Sequence, residues 1–202
     1  MSSISPENGM GGERLKYRVE VRDLLGSGVD REVLSLEVEQ SDGTIVALVH
    51  PFADINEAPD ESQRQAFNLD QAEPSQVFKG VGKLLQGGKE APLLILEEDR
   101  FMRDTRSYLG NKQSESPLTV YTVSTEYSSP KPTGEGDSWR DLTDILTSVG
   151  VRRIMVGGAY FSKTSTQAPS CVRMFADEMK QRGFNVEITN LTYPDRGDVE
   201  LV

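Results

Sequence analysis

Residues 148–190 constrain the fold more than any other stretch, because they have the pattern of a complete strand–helix–strand unit. A short buried strand is predicted at residues 152–158, where Ile154, Met155 and Val156 precede two glycines. A helix is predicted at residues 168–182, with Gly183 ending it, and a second strand at residues 184–189. Two strands joined in this way run parallel with a right-handed crossover. The unit therefore predicts an α/β protein.

The rest of the chain repeats this alternation of strands and helices. Apolar or β-branched runs predict strands at residues 44–49, 93–96 and 118–123. Helical spacing predicts one helix that ends at Gly87, one at residues 101–109, and one that begins with Ser138 as its cap and runs to residue 149. Loops are predicted at residues 54–76, 111–117 and 128–137. The sequence therefore predicts a mostly parallel, doubly wound sheet flanked by helices.

The N-terminal part has a different pattern, in which apolar and polar residues alternate. The alternation predicts a strand at residues 15–22 and another at residues 33–40, where Leu34, Leu36 and Val38 would share one face. Turn residues follow at 41–43, so the strand at residues 44–49 is expected to pair back as an antiparallel hairpin. With 202 residues in all, we expect a disordered tail at residues 1–14 and a single α/β domain at residues 15–202.

Composition and charge argue against two classes of partner. The formal net charge of −10 makes this an acidic protein, which disfavours nucleic acid because phosphate contacts need clustered Lys and Arg. No apolar run approaches the ~20 residues of a membrane-spanning helix, and the N-terminus lacks the basic and apolar segments of a secretory signal. A single cysteine is compatible with a reducing compartment. We therefore expect a soluble cytoplasmic protein; its oligomeric state is not indicated.

Polar side chains follow each predicted strand of the sheet. Open α/β sheets bind ligands outside the carboxyl ends of their strands, so these residues are expected to share one edge and to contact a small polar molecule there. An alternative is that polar residues simply mark where buried strands meet water. The candidates, in strand order, are His50 and Asp54, then Glu97, then Glu126, then Tyr160, Ser162 and Lys163.

His50 is the only histidine, and at the end of a strand it has two interpretations. It is a candidate general base or metal ligand, or it is a hydrogen-bonded structural residue. No spacing motif accompanies the nearby carboxylates, so we assign no metal. Gly157 and Gly158 lack both the dinucleotide fingerprint and the lysine of a phosphate-binding loop, so we assign no cofactor.

Cys171 also has two interpretations. It lies in the first turn of a predicted helix, where the helix dipole favours a thiolate and would lower the pKa. Cys171, Phe175 and Met179 also fall at positions i, i+4 and i+8, which makes the thiol part of an apolar stripe. The first interpretation predicts a nucleophile and the second a core residue.

The C-terminal third resembles the isochorismatase-like cysteine hydrolases, whose last unit runs from an apolar strand and glycine to a Cys-Val that opens a helix. The resemblance rests on Gly150, Val151, Ile154, Met155, Val156, Gly157, Cys171, Val172, Ala176, Gly183, Phe184 and Val186. It departs from the family in three respects: residues 159–170 separate the strand from Cys171, His50 replaces an aspartate with Asp54 as the nearest carboxylate, and Lys131 matches the family's lysine only loosely. The resemblance implies the fold more than the activity.

Two functional hypotheses follow from these residues. The first is a hydrolase-like enzyme that acts on a small polar metabolite, with Cys171 as nucleophile and His50 or Asp54 as base. The second is a non-catalytic binding or assembly module that presents its two long Pro-containing loops, residues 54–76 and 127–138, to a protein partner.

Overall fold

Strands and helices alternate along the chain, as the sequence predicts. A computed structural model of the protein describes residues 17–51, 69–71, 91–114, 117–158, 160–162 and 171–188. Within these ranges the elements are β1 (Tyr17–Arg18), β2 (Glu20–Asp23), α1 (Arg31–Gln40), β3 (Thr44–Val49), β4 (Leu69–Gln71), β5 (Leu93–Glu98), α2 (Asp99–Gly110), β6 (Gln113–Ser114), β7 (Thr119–Thr125), α3 (Ser138–Ser148), β8 (Arg153–Gly158), β9 (Tyr160–Ser162), α4 (Cys171–Gln181) and β10 (Asn185–Ile188).

Six of the strands form one sheet in the order β10-β8-β3-β5-β7-β2, and every neighbouring pair is parallel. The central strands are apolar runs that are buried along nearly their whole length, as parallel strands covered on both faces must be. The predicted α/β class with a parallel sheet is confirmed.

The strand order contains a switch point between β3 and β8. After β3 the chain builds β5 and β7 on one side of it, and then returns to the other side for β8 and β10. In open α/β sheets a crevice forms outside the carboxyl ends of the two strands at such a point. The topology therefore directs attention to the residues that follow β3 and β8.

β3 and β8 approach each other closely at their carboxyl ends, where Val49 is paired with Gly158. A Cβ atom on Gly158 would lie 2.2 Å from the carbonyl oxygen of Val49 and 2.7 Å from a methyl carbon of Val172. Only glycine fits between the neighbouring strand and the first turn of α4. This contact fixes the start of α4 against the switch point.

One apolar cluster joins α1, α3 and α4 to the sheet. Leu34 and Val38 of α1, Leu142 and Leu146 of α3, and Phe175 and Met179 of α4 are buried in it with residues of β3, β5, β7 and β8. α2 packs against β2, β5 and β7, with Met102, Thr105 and Leu109 buried. Helices on the sheet thus bury the apolar strands that the sequence predicts.

The predicted strand at residues 33–40 is wrong, because this segment is the helix α1. The Asp30 side chain accepts hydrogen bonds from the backbone N–H groups of Glu32 and Val33, which is the usual cap of a helix N-terminus. β3 consequently enters the sheet parallel to β5 and β8, and does not form the expected antiparallel hairpin with residues 33–40. An antiparallel pair does involve the N-terminal part, but it joins β1 to β6.

The other predicted elements are confirmed where they are described, with small corrections. The strands at 93–96, 118–123, 152–158 and 184–189 correspond to β5, β7, β8 and β10, and three predicted helices correspond to α2, α3 and α4. Asp137 caps α3, whereas Ser138 donates a hydrogen bond to the carbonyl of Pro132. The predicted loops at 54–76 and 111–117 contain the short strands β4 and β6. The tail at 1–14 and the helix ending at Gly87 lie outside the described residues.

Replacing Gly158 with alanine is expected to destabilise the protein by about 2 kcal/mol or more, because the new methyl group would overlap the backbone of β3. Urea denaturation of the wild type and the variant measures this loss. Gly110→Ala in α2 is the matched control, since a Cβ there meets nothing within 4 Å. A Gly158→Ala variant as stable as the control would contradict the assigned close approach.

Candidate functional site

The carboxyl edge of the sheet brings together residues that follow three adjacent strands. His50 follows β3, Glu97 and Glu98 end β5, and Thr125 and Glu126 close β7. Because these strands are parallel, the predicted placement of His50, Glu97 and Glu126 at one edge is confirmed.

The fourth strand, β8, ends at the same edge, and the backbone of Tyr160 and Ser162 continues from there into β9. β9 pairs antiparallel with β4 and contacts α4. The side chains of Tyr160 and Ser162 lie outside the described part of the structure, as do Lys163 and Asp54. Their predicted roles stay predictions.

His50 is a buried residue with an unusual backbone. Its φ of 49° lies in the left-handed region, and its side chain is only 1% exposed. Its Nε2 lies 2.9 Å from the Thr125 hydroxyl oxygen, and the ring is also hydrogen-bonded to the backbone of Ser129. Burial lowers the pKa of His50 to about 4, although the Ser129 hydrogen bond acts in the opposite direction. His50 is therefore neutral near pH 7 and connects β3 to the loop after β7.

Glu98 is held by two donors at the end of β5. Its Oε1 accepts a hydrogen bond of 3.0 Å from the backbone N–H of Ser128, and its Oε2 accepts one of 2.7 Å from Nε of Arg100. The Arg100 guanidinium lies 4.4 Å from the ring centroids of both Phe101 and Tyr127. Sequence analysis did not select Glu98, because the acidic run 97–99 does not show which carboxylate the loop after β7 will reach.

Glu97 is fully buried beside it, and its Oε1 accepts a hydrogen bond from the backbone N–H of Glu98. Successive strand residues face opposite sides of a sheet. Leu94 and Leu96 belong to the cluster that includes α4, so Glu98 falls on the α4 side and Glu97 on the other. The carboxylate on the α4 side is the one closer to the first turn of that helix.

Cys171 is the first residue of α4 and is partly buried against the apolar cluster. Burial raises the pKa of its thiol to about 12, and the charges of Glu98 and, less strongly, Glu97 act in the same direction. A backbone hydrogen bond at Cys171 lowers the pKa by less than burial and Glu98 raise it. The position of Cys171 at a helix N-terminus predicted a lowered pKa. The pKa is instead raised, so the thiol is protonated near pH 7. Cys171 thus interacts electrostatically with both carboxylates.

The loop after β7, residues 126–133, is fixed by its own hydrogen bonds. The N–H of Glu126 donates to Lys131, and the N–H of Thr133 donates to Ser124, each at 2.8 Å. The carboxylate of Glu126 also forms a half-exposed ion pair of 2.6 Å with Lys131. Glu126 and Lys131 thus pair with each other at the surface, while Thr125 and the backbone of the loop contact His50 and Glu98.

Two further features are absent from the described residues: a metal-binding group and a membrane-spanning helix. No group of three or more His, Cys, Asp or Glu side chains within the described ranges is arranged to hold a metal ion. None of the helices in the described ranges is long and apolar enough to cross a membrane.

The stability of the protein is expected to fall as the pH drops from about 6.5 to about 4. The pKa of His50 is lower in the folded protein than the usual 6.5 of an unfolded chain, so the unfolded state binds the extra proton in this window. From this pKa difference, His50 contributes about 3 kcal/mol to the free energy of unfolding. The contribution is complete at a pH above 6.5 and is lost as the pH falls to about 4.

Urea denaturation of the wild type and of His50→Asn as a function of pH tests this. Asparagine tolerates a positive φ and does not titrate, and the chain has no other histidine. The wild type should lose about 3 kcal/mol more than the variant between neutral pH and pH ~4. Equal losses in the two proteins would show that His50 does not titrate abnormally.

Comparison with protein-family models, with curated proteins and with solved structures found no match to this chain. The resemblance of the C-terminal third to the isochorismatase-like cysteine hydrolases therefore stays a prediction. Function has to be argued from the residues at the carboxyl edge and from their geometry.

Proposed function

We propose that the protein is a hydrolase that acts on a small polar metabolite at the carboxyl edge of the sheet. Cys171 would be the nucleophile, and Glu98 would receive its proton. The observation that carries this proposal is that the carboxylates at the end of β5 interact electrostatically with the Cys171 thiol and raise its pKa. A nucleophile and a base at a switch point are the elements that covalent catalysis needs.

Glu98 is a better candidate for the base than either residue expected from the sequence. Hydrogen bonds to Thr125 and Ser129 hold the ring of His50 toward β7 and the loop that follows it. Asp54 lies outside the described residues. Glu98 lies on the same side of the sheet as α4, and among the charged groups of the described residues its charge raises the pKa of Cys171 most.

The raised pKa of Cys171 determines how the reaction would proceed. Because the resting thiol is protonated, the proton would move from sulfur to Glu98 as the sulfur attacks the carbonyl carbon of an ester or amide. The leaving group would take that proton and depart, leaving an acylated Cys171. Water would then attack the acyl carbon and give its proton to Glu98, and the released thiol would recover that proton. Each proton is accounted for, and no cofactor enters the scheme.

The setting of the site is consistent with a small polar substrate. The edge carries the carboxylates of Glu98 and Glu126, groups that accept hydrogen bonds from N–H and O–H donors on a ligand. A free cysteine at such a site needs a compartment that keeps thiols reduced, so the proposal includes the cytoplasmic location expected from the sequence.

A second candidate function is a non-catalytic module that binds a protein partner through the loop after β7. The observation that favours it is the combination of a rigid loop backbone with Tyr127, whose side chain is 69% exposed. Exposed aromatic residues on fixed loops are common in protein interfaces. The protonated thiol and the neutral His50 are also compatible with a site that performs no chemistry.

Cys171→Ala and Glu98→Gln are each expected to reduce hydrolysis at least ~100-fold, because the first removes the nucleophile and the second removes the proton acceptor. A panel of small ester and amide substrates, followed by product release at neutral pH, provides the measurement. The first active substrate is then used for all variants.

Arg103→Gln is the matched control, since the side chain of Arg103 on α2 is 95% exposed and away from these contacts. Its activity should equal that of the wild type. Hydrolysis that survives in Cys171→Ala would exclude Cys171 as nucleophile. A wild type inactive on the whole panel, together with a partner whose binding is lost in Tyr127→Ala, would favour the second function.

A further inference from the structure

We infer that Arg100 is a positioning residue which, together with the backbone N–H of Ser128, fixes the Glu98 carboxylate on the α4 side of the carboxyl edge. The Glu98 side chain is 6% exposed and Arg100 39% exposed, so their 2.7 Å contact is partly shielded from water. Hydrogen bonds between charged groups are stronger and more directional than neutral ones. The inference relies on the proposed function only for the chemical use of Glu98.

Each oxygen of Glu98 has its own donor, and the two donors come from different segments. Arg100 belongs to α2, which begins directly after β5, whereas Ser128 belongs to the loop after β7. Ser128 has a φ of 51°, and this conformation accompanies an N–H directed at the carboxylate. Two donors from separate segments restrict the rotation of a carboxylate more than one donor does.

The side chain of Arg100 is itself held in place. Phe101 and Tyr127 lie on the guanidinium at equal distances of 4.4 Å, one from α2 and one from the loop after β7. Stacking on aromatic rings is a property of the planar guanidinium, which can at the same time donate in its own plane from Nε. Arg100 therefore contacts the end of β5 through Glu98 and the loop after β7 through Tyr127.

The rate at which iodoacetamide alkylates Cys171 reports whether the Glu98 carboxylate acts on the thiol. This measurement needs no enzyme substrate. The charge of Glu98 raises the pKa of Cys171, so Glu98→Gln should lower that pKa. At a fixed pH below the pKa, each unit of decrease gives about tenfold more thiolate, partly offset by its lower nucleophilicity. Glu98→Gln should therefore accelerate alkylation about threefold or more. As Cys171 is the only cysteine, the signal is unambiguous.

The test is the same Glu98→Gln comparison made again in an Arg100→Gln background. If Arg100 positions Glu98, the carboxylate moves away from Cys171 when Arg100 is lost, and Glu98→Gln should then change the rate less than about 1.5-fold. If Arg100 only neutralises the charge of Glu98, the change in alkylation rate caused by Glu98→Gln should be as large or larger in the Arg100→Gln background. That result would overturn the inference. Arg103→Gln is the control background and should retain the full effect.

A second background guards against loss of the fold in Arg100→Gln. Tyr127→Leu removes one of the two rings on the guanidinium and should also reduce the Glu98→Gln effect, whereas Tyr17→Leu, at a 41% exposed tyrosine of β1, should not. An undiminished effect in Tyr127→Leu would count against the inference. Because alkylation is independent of hydrolysis, failure to find a hydrolysed substrate would reject the proposed function without affecting this result.

Discussion

The close approach of β3 and β8 is the contact on which the rest of the structure depends. Gly158 lets the first turn of α4 pack directly against the carboxyl ends of β3 and β8, where Val172 lies against the glycine, and the thiol of the adjacent Cys171 interacts electrostatically with Glu98. A larger residue at this point would push α4 outward and separate the thiol from the carboxylates. The geometry of the candidate site is therefore a consequence of backbone packing between two strands.

Burial determines the charge of two groups at this edge. Removal from water disfavours the charged forms of both His50 and Cys171, so the imidazole and the thiol are uncharged near pH 7. Glu98 receives hydrogen bonds from Arg100 and from the backbone N–H of Ser128, which fix its orientation. The loop after β7 contacts both His50 and Glu98. Ser129 is hydrogen-bonded to His50, and Ser128 donates a hydrogen bond to Glu98.

Sequence patterns were sufficient for the sheet and insufficient for the details of the site. Long apolar runs fixed the parallel strands, and with them the common edge of His50, Glu97 and Glu126. The alternation of Leu34, Leu36 and Val38 was misleading, since Leu34 and Val38 also lie one helical turn apart and Leu36 is 57% exposed on α1. Glu98 was missed because its role depends on Ser128, 30 residues away in the sequence, whose approach is set by tertiary structure and leaves no local pattern.

The position of β2 has a consequence for synthesis on the ribosome. β2 is the first strand of the large sheet to be made, yet its partner in that sheet is β7, with Glu20 paired to Thr119 roughly 100 residues later. At about 5–20 residues per second, the nascent strand waits several seconds before its partner emerges. Its short length and its charged residues Glu20, Arg22 and Asp23 are features that discourage unpaired strands from aggregating. The β2–β7 pairing thus closes a loop of roughly 100 residues, after β3 and β5 have been made and before β8 and β10 have emerged.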